Sequence, residues 1–345
     1  MVIFFDFISK FEPSQYIKNR VKTIKLDFSE NTSSIDNDDD NSFILNSSNR
    51  RLNLTTDLYT SDQCTIIDSI DRSIGNLEQV HALSNKDYAQ CLEVFEANSD
   101  QRFRILDWLE ENILTHMLKS SNSILSVGCG AGAFDEHVLK YLNGRMEQVK
   151  YLGIEPNPLE ATEFLKRMQA QSVGQMAVDT SVLVEKFGER SLDAAFDLIL
   201  FVHSIYYLDD RNEAIDAALS ALKPGGVLII VVAPDESLNV IANLIWQRQM
   251  GQKSFFSDDL RRHFDARGID YSETRIAANL DATAGFNSTS QEGRDIIDFT
   301  VQTRMALLPE PLQHDISEFL LSTSKIEDGN TYLPHPVDVF CCRKN

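Results

Sequence analysis

"FDLILFVHSIYYLDDRNEAIDAALSALKPGGVLIIV", residues 196 to 231, holds two apolar runs separated by a helix-like stretch. The first run spans 197–202, a helix is expected from Glu213 to Leu222, and "LKPGG" turns directly into the second run at 227–233. Strands that are apolar at consecutive positions are buried on both faces, which is the pattern of a parallel sheet covered by helices. Working outward, the same alternation recurs. "ILSV" (124–127) precedes a helix from about Asp135, "YLGI" (151–154) precedes a helix from about Pro158, and "QMAV" (175–178) supplies a further strand. Beyond Pro234, "SLNVIANLIWQRQ" and "SFFSDDLRRHFDARG" read as helices and "YSETRIAANLDAT" as a strand. "GRDIIDFTVQTRMALL" and "PLQHDISEFLLST" read as two more helices before a closing strand, "VDVFCCR". The fold class is α/β.

Composition narrows the partners. With 32 Lys and Arg against 52 Asp and Glu, the net charge of −20 repels phosphate backbones and anionic membrane surfaces, so nucleic acid is not an expected partner. The strongest basic cluster, Arg261-Arg262-His263, reads as one solvated helical turn. Five cysteines, two of them adjacent at 341 and 342, do not form a disulfide framework, and no Cys/His spacing matches a zinc site. "MVIFFDFISKF" is interrupted by Asp6 and makes a poor signal peptide. No run approaches the roughly 20 apolar residues of a membrane span. The expectation is a metal-free, cytoplasmic protein.

The chain divides by pattern into three. Residues 1–75 read as an N-terminal extension, partly disordered because 29–50 is dominated by Ser, Asn and Asp, with too little apolar surface to offset ordering. Residues 76–120 carry helical periodicity: Tyr88, Leu92 and Phe95, then Phe103, Leu106, Leu109 and Ile113, with "NSD" as the break and cap between. Residues 121–345 form the α/β core, with helical insertions after the fifth strand.

"SILSVGCGAGAFDEHVL" (123–139) places Gly128, Gly130 and Gly132 between a strand and a helix, where the backbone must turn tightly and present N–H groups to a ligand. The spacing suits dinucleotide enzymes, methyltransferases or a plain tight turn. Glu155 ends the next strand, 27 positions after Gly128 (155 − 128). A carboxylate there can accept both hydroxyls of a ribose, or simply cap the next helix.

Taken together, the glycine loop, Glu155 and the "FDLILFV…LKPGG" block resemble class I S-adenosylmethionine-dependent methyltransferases over about residues 120 to 235. The resemblance implies a Rossmann-like, mostly parallel seven-stranded sheet whose last strand is antiparallel, with S-adenosylmethionine as cofactor. It implies that the loop contacts the methionine portion and Glu155 the ribose. Residues near Asp179, Thr180 and Ser181 would meet the adenine, with Val202 at the end of the fourth strand also against the cofactor. From Tyr88 onward the chain looks most like the histamine N-methyltransferase family, in the helix before "NSD", in "IEP", in "YYL" and in the short final strand. That likeness implies a monomer with aromatic cover over a small substrate from Tyr88 and Phe95, the Tyr206/Tyr207 pair, and Trp246 on the helix after the fifth strand. Packing alone would also explain Phe95 and Trp246.

The polar contacts depart from that family. Its acidic residue falls on Gln101, and its two amides fall on His203 and His335. Without the carboxylate, a cationic amine loses its partner, whereas a Gln and two His can hydrogen-bond or pair with a carboxylate on the substrate. The expected acceptor is therefore a small amino-acid-like or carboxylate-bearing nitrogen compound, with His203 as base or, alternatively, as a hydrogen-bonded structural residue. S-methylation of a small thioether acid, which needs no base, and a non-catalytic cofactor-binding regulatory module are the alternatives. A nicotinamide oxidoreductase is disfavoured by the lack of a "YxxxK" motif after the fourth strand, and protein methylation by "VHSIYYL" standing where "NPPY" or "DPPY" would.

Overall fold

A computed structural model describes residues 58–117, 121–171, 176–286 and 290–344. Segment 29–50, expected to be mobile, lies outside the described residues, as does the rest of 1–57. Helices α1 (Ser61–Gly75), α2 (Asn85–Ala97) and α3 (Gln101–Asn112) precede the sheet. The alternating core follows: β1 (Ser121–Val127), α4 (Ala133–Leu142), β2 (Gln148–Ile154), α5 (Pro158–Ala170), β3 (Ala177–Leu183), β4 (Phe196–Val202), α6 (Arg211–Ala221) and β5 (Leu222–Val232). The remainder comprises α7 (Leu238–Met250), α8 (Ser257–Arg267), β6 (Ser272–Ile276), β7 (Asn279–Asp281), α9 (Gln291–Val301), α10 (Glu310–Thr323), β8 (Lys325–Glu327), β9 (Asn330–Pro334) and β10 (Val337–Arg343).

Seven strands form one sheet in the order β3-β2-β1-β4-β5-β10-β6. Pairing is parallel from β3 through β5, and β10 runs antiparallel to both β5 and β6. The expected antiparallel last strand is thus present, second from the edge, with β6 outside it. Strand direction explains the apolar runs. Ile124, Leu198, Leu200, Val227 and Ile229 face a core beneath α3, α4 and α5. Their neighbours Leu125, Ile199, Phe201, Leu228 and Ile230 face a second core beneath α6 and α8.

A third core holds the cover together. Ile67, Ile70 and Ile74 of α1 pack with Leu312, Ile316, Phe319 and Leu320 of α10, alongside residues of α2, α7 and α9. Residues 61–75, read from sequence as part of an extension, are therefore a docked helix. Thr60 and Gln63 close its start as a capping box. Helix α7 is buried on nearly every side because it lies between cores: Leu238, Ile241, Leu244 and Ile245 belong to the cover, Trp246 to the core under α6 and α8. A small sheet, β7-β9-β8, completes the cover. It is stitched to the "NSD" stretch by the Asp281 N–H donating to the Asn98 carbonyl (2.8 Å) and the Asp100 N–H to the Asn279 carbonyl (3.1 Å).

The "FD" and "LKPGG" elements act at the amino-terminal ends of the central strands. Asp197 accepts from the Lys223 ammonium (2.7 Å), the Ser123 amide (2.9 Å) and the Ser123 hydroxyl (2.8 Å), which ties the start of β5 to β1 and β4. Among the described residues no helix is long and apolar enough to cross a membrane.

Candidate active site

The strand order reverses direction between β1 and β4, and the carboxyl ends of these strands open the crevice where ligands bind in such sheets. The glycine loop occupies that edge. Gly128, Gly130 and Gly132 all have positive φ (65°, 53° and 77°), which non-glycine residues adopt only with strain. A Cβ on Gly132 would lie 2.7 Å from the Phe164 ring, whereas nothing stands within 4 Å of the same position at Gly130. The loop is thus packed on one side and open on the other. The Gly128 amide donates to the Ile154 carbonyl (2.8 Å), fixing the loop on β2.

Glu155 leaves β2 directly beside this turn. Its Oε2 accepts from the Gly130 amide (3.0 Å) and its Oε1 from the Asn157 amide (2.8 Å). Burial pushes the carboxyl upward, and these two N–H groups counter it. Behind the loop, buried Asp135 accepts from the Tyr151 hydroxyl (2.7 Å) and anchors the first turn of α4 to β2.

Thr180 and Ser181 sit within β3, paired with Tyr151 and Leu152, while Ile154 pairs with Leu183. The position level with Glu155 is therefore Val184, four residues further on than Thr180. β3 is an edge strand, largely exposed, and its Asp179-Thr180-Ser181 stretch looks like a loop when only apolar runs are counted.

At the end of β4, after Val202, His203 adopts a left-handed conformation (φ 53°), and its amide donates to the Val231 carbonyl (3.1 Å). Holding a non-glycine residue there costs about 1 kcal/mol or more, so the surroundings must fix it. They do so through a directional chain. The Gln101 amide nitrogen donates to the carbonyls of His335 (2.8 Å) and Pro336 (3.4 Å), which turns its Oε1 toward His203 Nε2 at 2.8 Å. That nitrogen must then carry the proton, leaving Nδ1 as acceptor. Nδ1 faces the Tyr206 hydroxyl at 3.3 Å, and that hydroxyl accepts from the Ala233 amide (2.6 Å), so its own proton points to Nδ1. His335 Nδ1 lies 2.8 Å from the Ser99 hydroxyl, which accepts from the Gln101 backbone N–H at 3.2 Å.

An aromatic wall adjoins this chain. Phe95 meets His335 edge-on (5.1 Å between centroids) and Phe299 at 4.6 Å, and Phe299 meets Tyr88 at 5.3 Å. Tyr206 and Tyr207 pack edge to face at 6.0 Å. The fold therefore brings Tyr88, Phe95, Gln101, His203, Tyr206, Tyr207 and His335 into one neighbourhood. Trp246 is buried in the core cluster that also holds Tyr206, Ala233, Phe256 and Leu260. Phe299 and Ser99 were not singled out in the sequence; a lone Phe in an amphipathic helix and a Ser in a turn carry no chemical signal of their own.

Burial sets the charge of the histidines. It drives His203 down to about 3 and His335 well below its ordinary value, so both are neutral at pH 7. The unfolded chain takes up these protons near 6.5 while the folded form resists. The stability they confer is intact above that pH and drains as pH falls toward 3. For His203 alone the loss between pH 7 and pH 5 is expected to be about 2 kcal/mol. Urea unfolding at both pH values should show it, and His203→Gln should flatten the difference; equal slopes for both proteins would contradict it.

A family model described as a methyltransferase domain matches residues 97–274, just over half of the chain. Histamine N-methyltransferase of Danio rerio is 21% identical over 275 residues, covering 73% of this chain and 94% of that protein. The Xenopus tropicalis protein of the same name is 20% identical over 236 residues, covering 63% and 80%. A solved Thermotoga maritima structure, titled as an S-adenosylmethionine-dependent methyltransferase and possible histamine N-methyltransferase, aligns over 75% of this chain and 96% of its own, with 15% identity and a TM-score of 0.41. The local chemistry suits such a cofactor: a glycine turn open at Gly130 and, beside it, a carboxylate at Glu155 able to accept from ribose hydroxyls.

Proposed function

The chain belongs to the methyltransferase-domain family and is an S-adenosylmethionine-dependent methyltransferase; from this premise we propose that it methylates an uncharged nitrogen on a small, amino-acid-like acceptor. One arrangement carries the reading: the aromatic wall of Tyr88, Phe95 and Phe299 beside a neutral Gln101–His203–Tyr206 chain that contains no carboxylate. When bound, the cofactor supplies an electrophilic methyl group on a sulfonium. The protein's part is to dock the acceptor, keep water out and place its lone pair in line. Aromatic faces favour an onium product by cation–π attraction without demanding a cation at the start.

The donors of the polar chain are used within it. A carboxylate on the acceptor finds no cation at His203 or His335, so it would point away from the chain. His203 has its one lone pair occupied by the Tyr206 hydroxyl, which makes it a positioning group more than a free base. That occupancy also favours a second reading, methylation of a thioether sulfur, which releases no proton.

The test is a methyl-transfer screen across amino-acid-like amines, simple amines and thioether acids, on the wild type and on Gln101→Glu. Turnover of amino-acid-like nitrogen acceptors is expected, and Gln101→Glu, in which an oxygen replaces the NH2 facing the His335 and Pro336 carbonyls, should melt below the wild type and shift preference at least several-fold toward cationic amines. Turnover of thioethers alone would replace the nitrogen reading. Binding of S-adenosylmethionine with no acceptor turned over would favour a regulatory module, and an unchanged preference would remove Gln101 from the acceptor's surroundings.

A further inference from the structure

Ser204 follows His203 at the end of β4, and its side chain is not used by anything described above. It is 3% exposed, and its hydroxyl has no hydrogen-bond partner among the described residues. It also lies against the first glycine of the loop: a Cβ on Gly128 would stand 2.6 Å from Ser204 Cβ and 3.4 Å from its Oγ. Buried hydroxyls are almost always paired, because an unpaired one bears its full desolvation cost. This one is held against the glycine turn, where a ligand group can supply the missing partner.

Strand order says which end of the ligand. β1 lies between β2 and β4, so the Gly128 turn has Glu155 on one side and Ser204 on the other. The Glu155 carboxylate accepts hydrogen bonds; it suits the ribose diol and repels the α-carboxylate of the cofactor. With the adenosine half on the Glu155 side, the amino-acid half falls on the β4 side. We propose that the Ser204 hydroxyl hydrogen-bonds the amino-acid end of S-adenosylmethionine and is a cofactor-binding residue. A hydroxyl serves either charged group there, donating to the α-carboxylate or accepting from the α-ammonium. The proposal rests on the reading of this loop as the cofactor site.

Calorimetric titration with two nucleosides separates the possibilities. S-adenosylhomocysteine carries the amino-acid end; 5′-methylthioadenosine keeps the adenine and ribose but lacks it. Ser204→Ala is expected to weaken S-adenosylhomocysteine about 10-fold or more, as for a hydrogen bond to a charged group, and to leave 5′-methylthioadenosine unchanged. Ser204→Cys, similar in size but a weak donor, should fall between. The ligand-free Ser204→Ala protein should melt at or above the wild-type temperature, since it loses an unpaired hydroxyl and no contact. Equal weakening of both nucleosides, or no change in either, would overturn the assignment. Failure of the wild type to bind either nucleoside would instead overturn the cofactor reading beneath it.

Discussion

Replacing Asp338 by alanine is expected to lower the folding free energy by about 3 kcal/mol, measured by urea denaturation. This carboxylate is wholly buried, near the start of β10 and opposite Val232 of β5. Arg275 donates to it through Nε (2.7 Å) and Nη2 (3.1 Å), and Arg261 through Nη2 (3.0 Å). Removal strands two guanidinium groups in a place built around a negative charge. The loss sits at the low end of the range for a broken buried pair because each arginine keeps a second partner: Glu273 for Arg261 at 2.6 Å and Glu236 for Arg275 at 2.6 Å. Asp338→Asn, which keeps the shape and loses the charge, should cost less than the alanine. A loss below 1 kcal/mol for Asp338→Ala would mean the network is bypassed by solvent. The effect reaches the site, since His335 and Pro336 immediately precede β10 and their carbonyls hold Gln101.

Arg261 also shows where composition misleads. As part of "RRH" it looks like one turn of solvated charge, and Arg262 does stand 70% exposed. Arg261, one residue earlier, turns inward to bridge Glu273 and Asp338. The sign of a cluster is legible in sequence; which members find carboxylates across the fold is not.

The sheet was legible for a simple reason. β1, β4 and β5 are buried on both faces, so their apolar runs survive without knowledge of their neighbours. Glu155 and the three glycines were legible because a turn of this geometry needs particular residue types. β3 was displaced because an edge strand with one wet face has no continuous run. The stretch 271–283 was read as one strand, but it divides between two sheets: β6 beside β10, β7 beside β9. Three-residue strands such as β7 and β8 are too short to show alternation. Helix α1 carried its signal in Ile67, Ile70 and Ile74, yet it follows a polar stretch whose composition dominated the reading. Most consequential are Gln101 and His203, 102 positions apart. Each was legible as a polar candidate for the site, but that they bond each other, and so hold one tautomer, depends on long-range closure that no local pattern encodes.

On the reading that Glu155 takes the ribose diol, Glu155→Ala is expected to weaken S-adenosylhomocysteine by about 100-fold, two charge-assisted hydrogen bonds being lost together. On that reading the carboxylate has two tasks and the alanine removes both, because it also frees the Gly130 and Asn157 amides that hold the turn. Glu155→Gln shows how tightly the tasks are linked. An amide keeps one acceptor oxygen, but its NH2 must then face either the Gly130 or the Asn157 N–H, donor against donor. Glutamine should therefore recover little of the affinity despite its matching size. An S-adenosylhomocysteine analogue lacking both ribose hydroxyls separates recognition from scaffolding: it should bind wild type and Glu155→Ala with affinities far closer together than the parent ligand does. If instead the analogue loses the full 100-fold on Glu155→Ala, the residue acts by shaping the loop alone, and the ribose must find its acceptor elsewhere along the edge of the sheet.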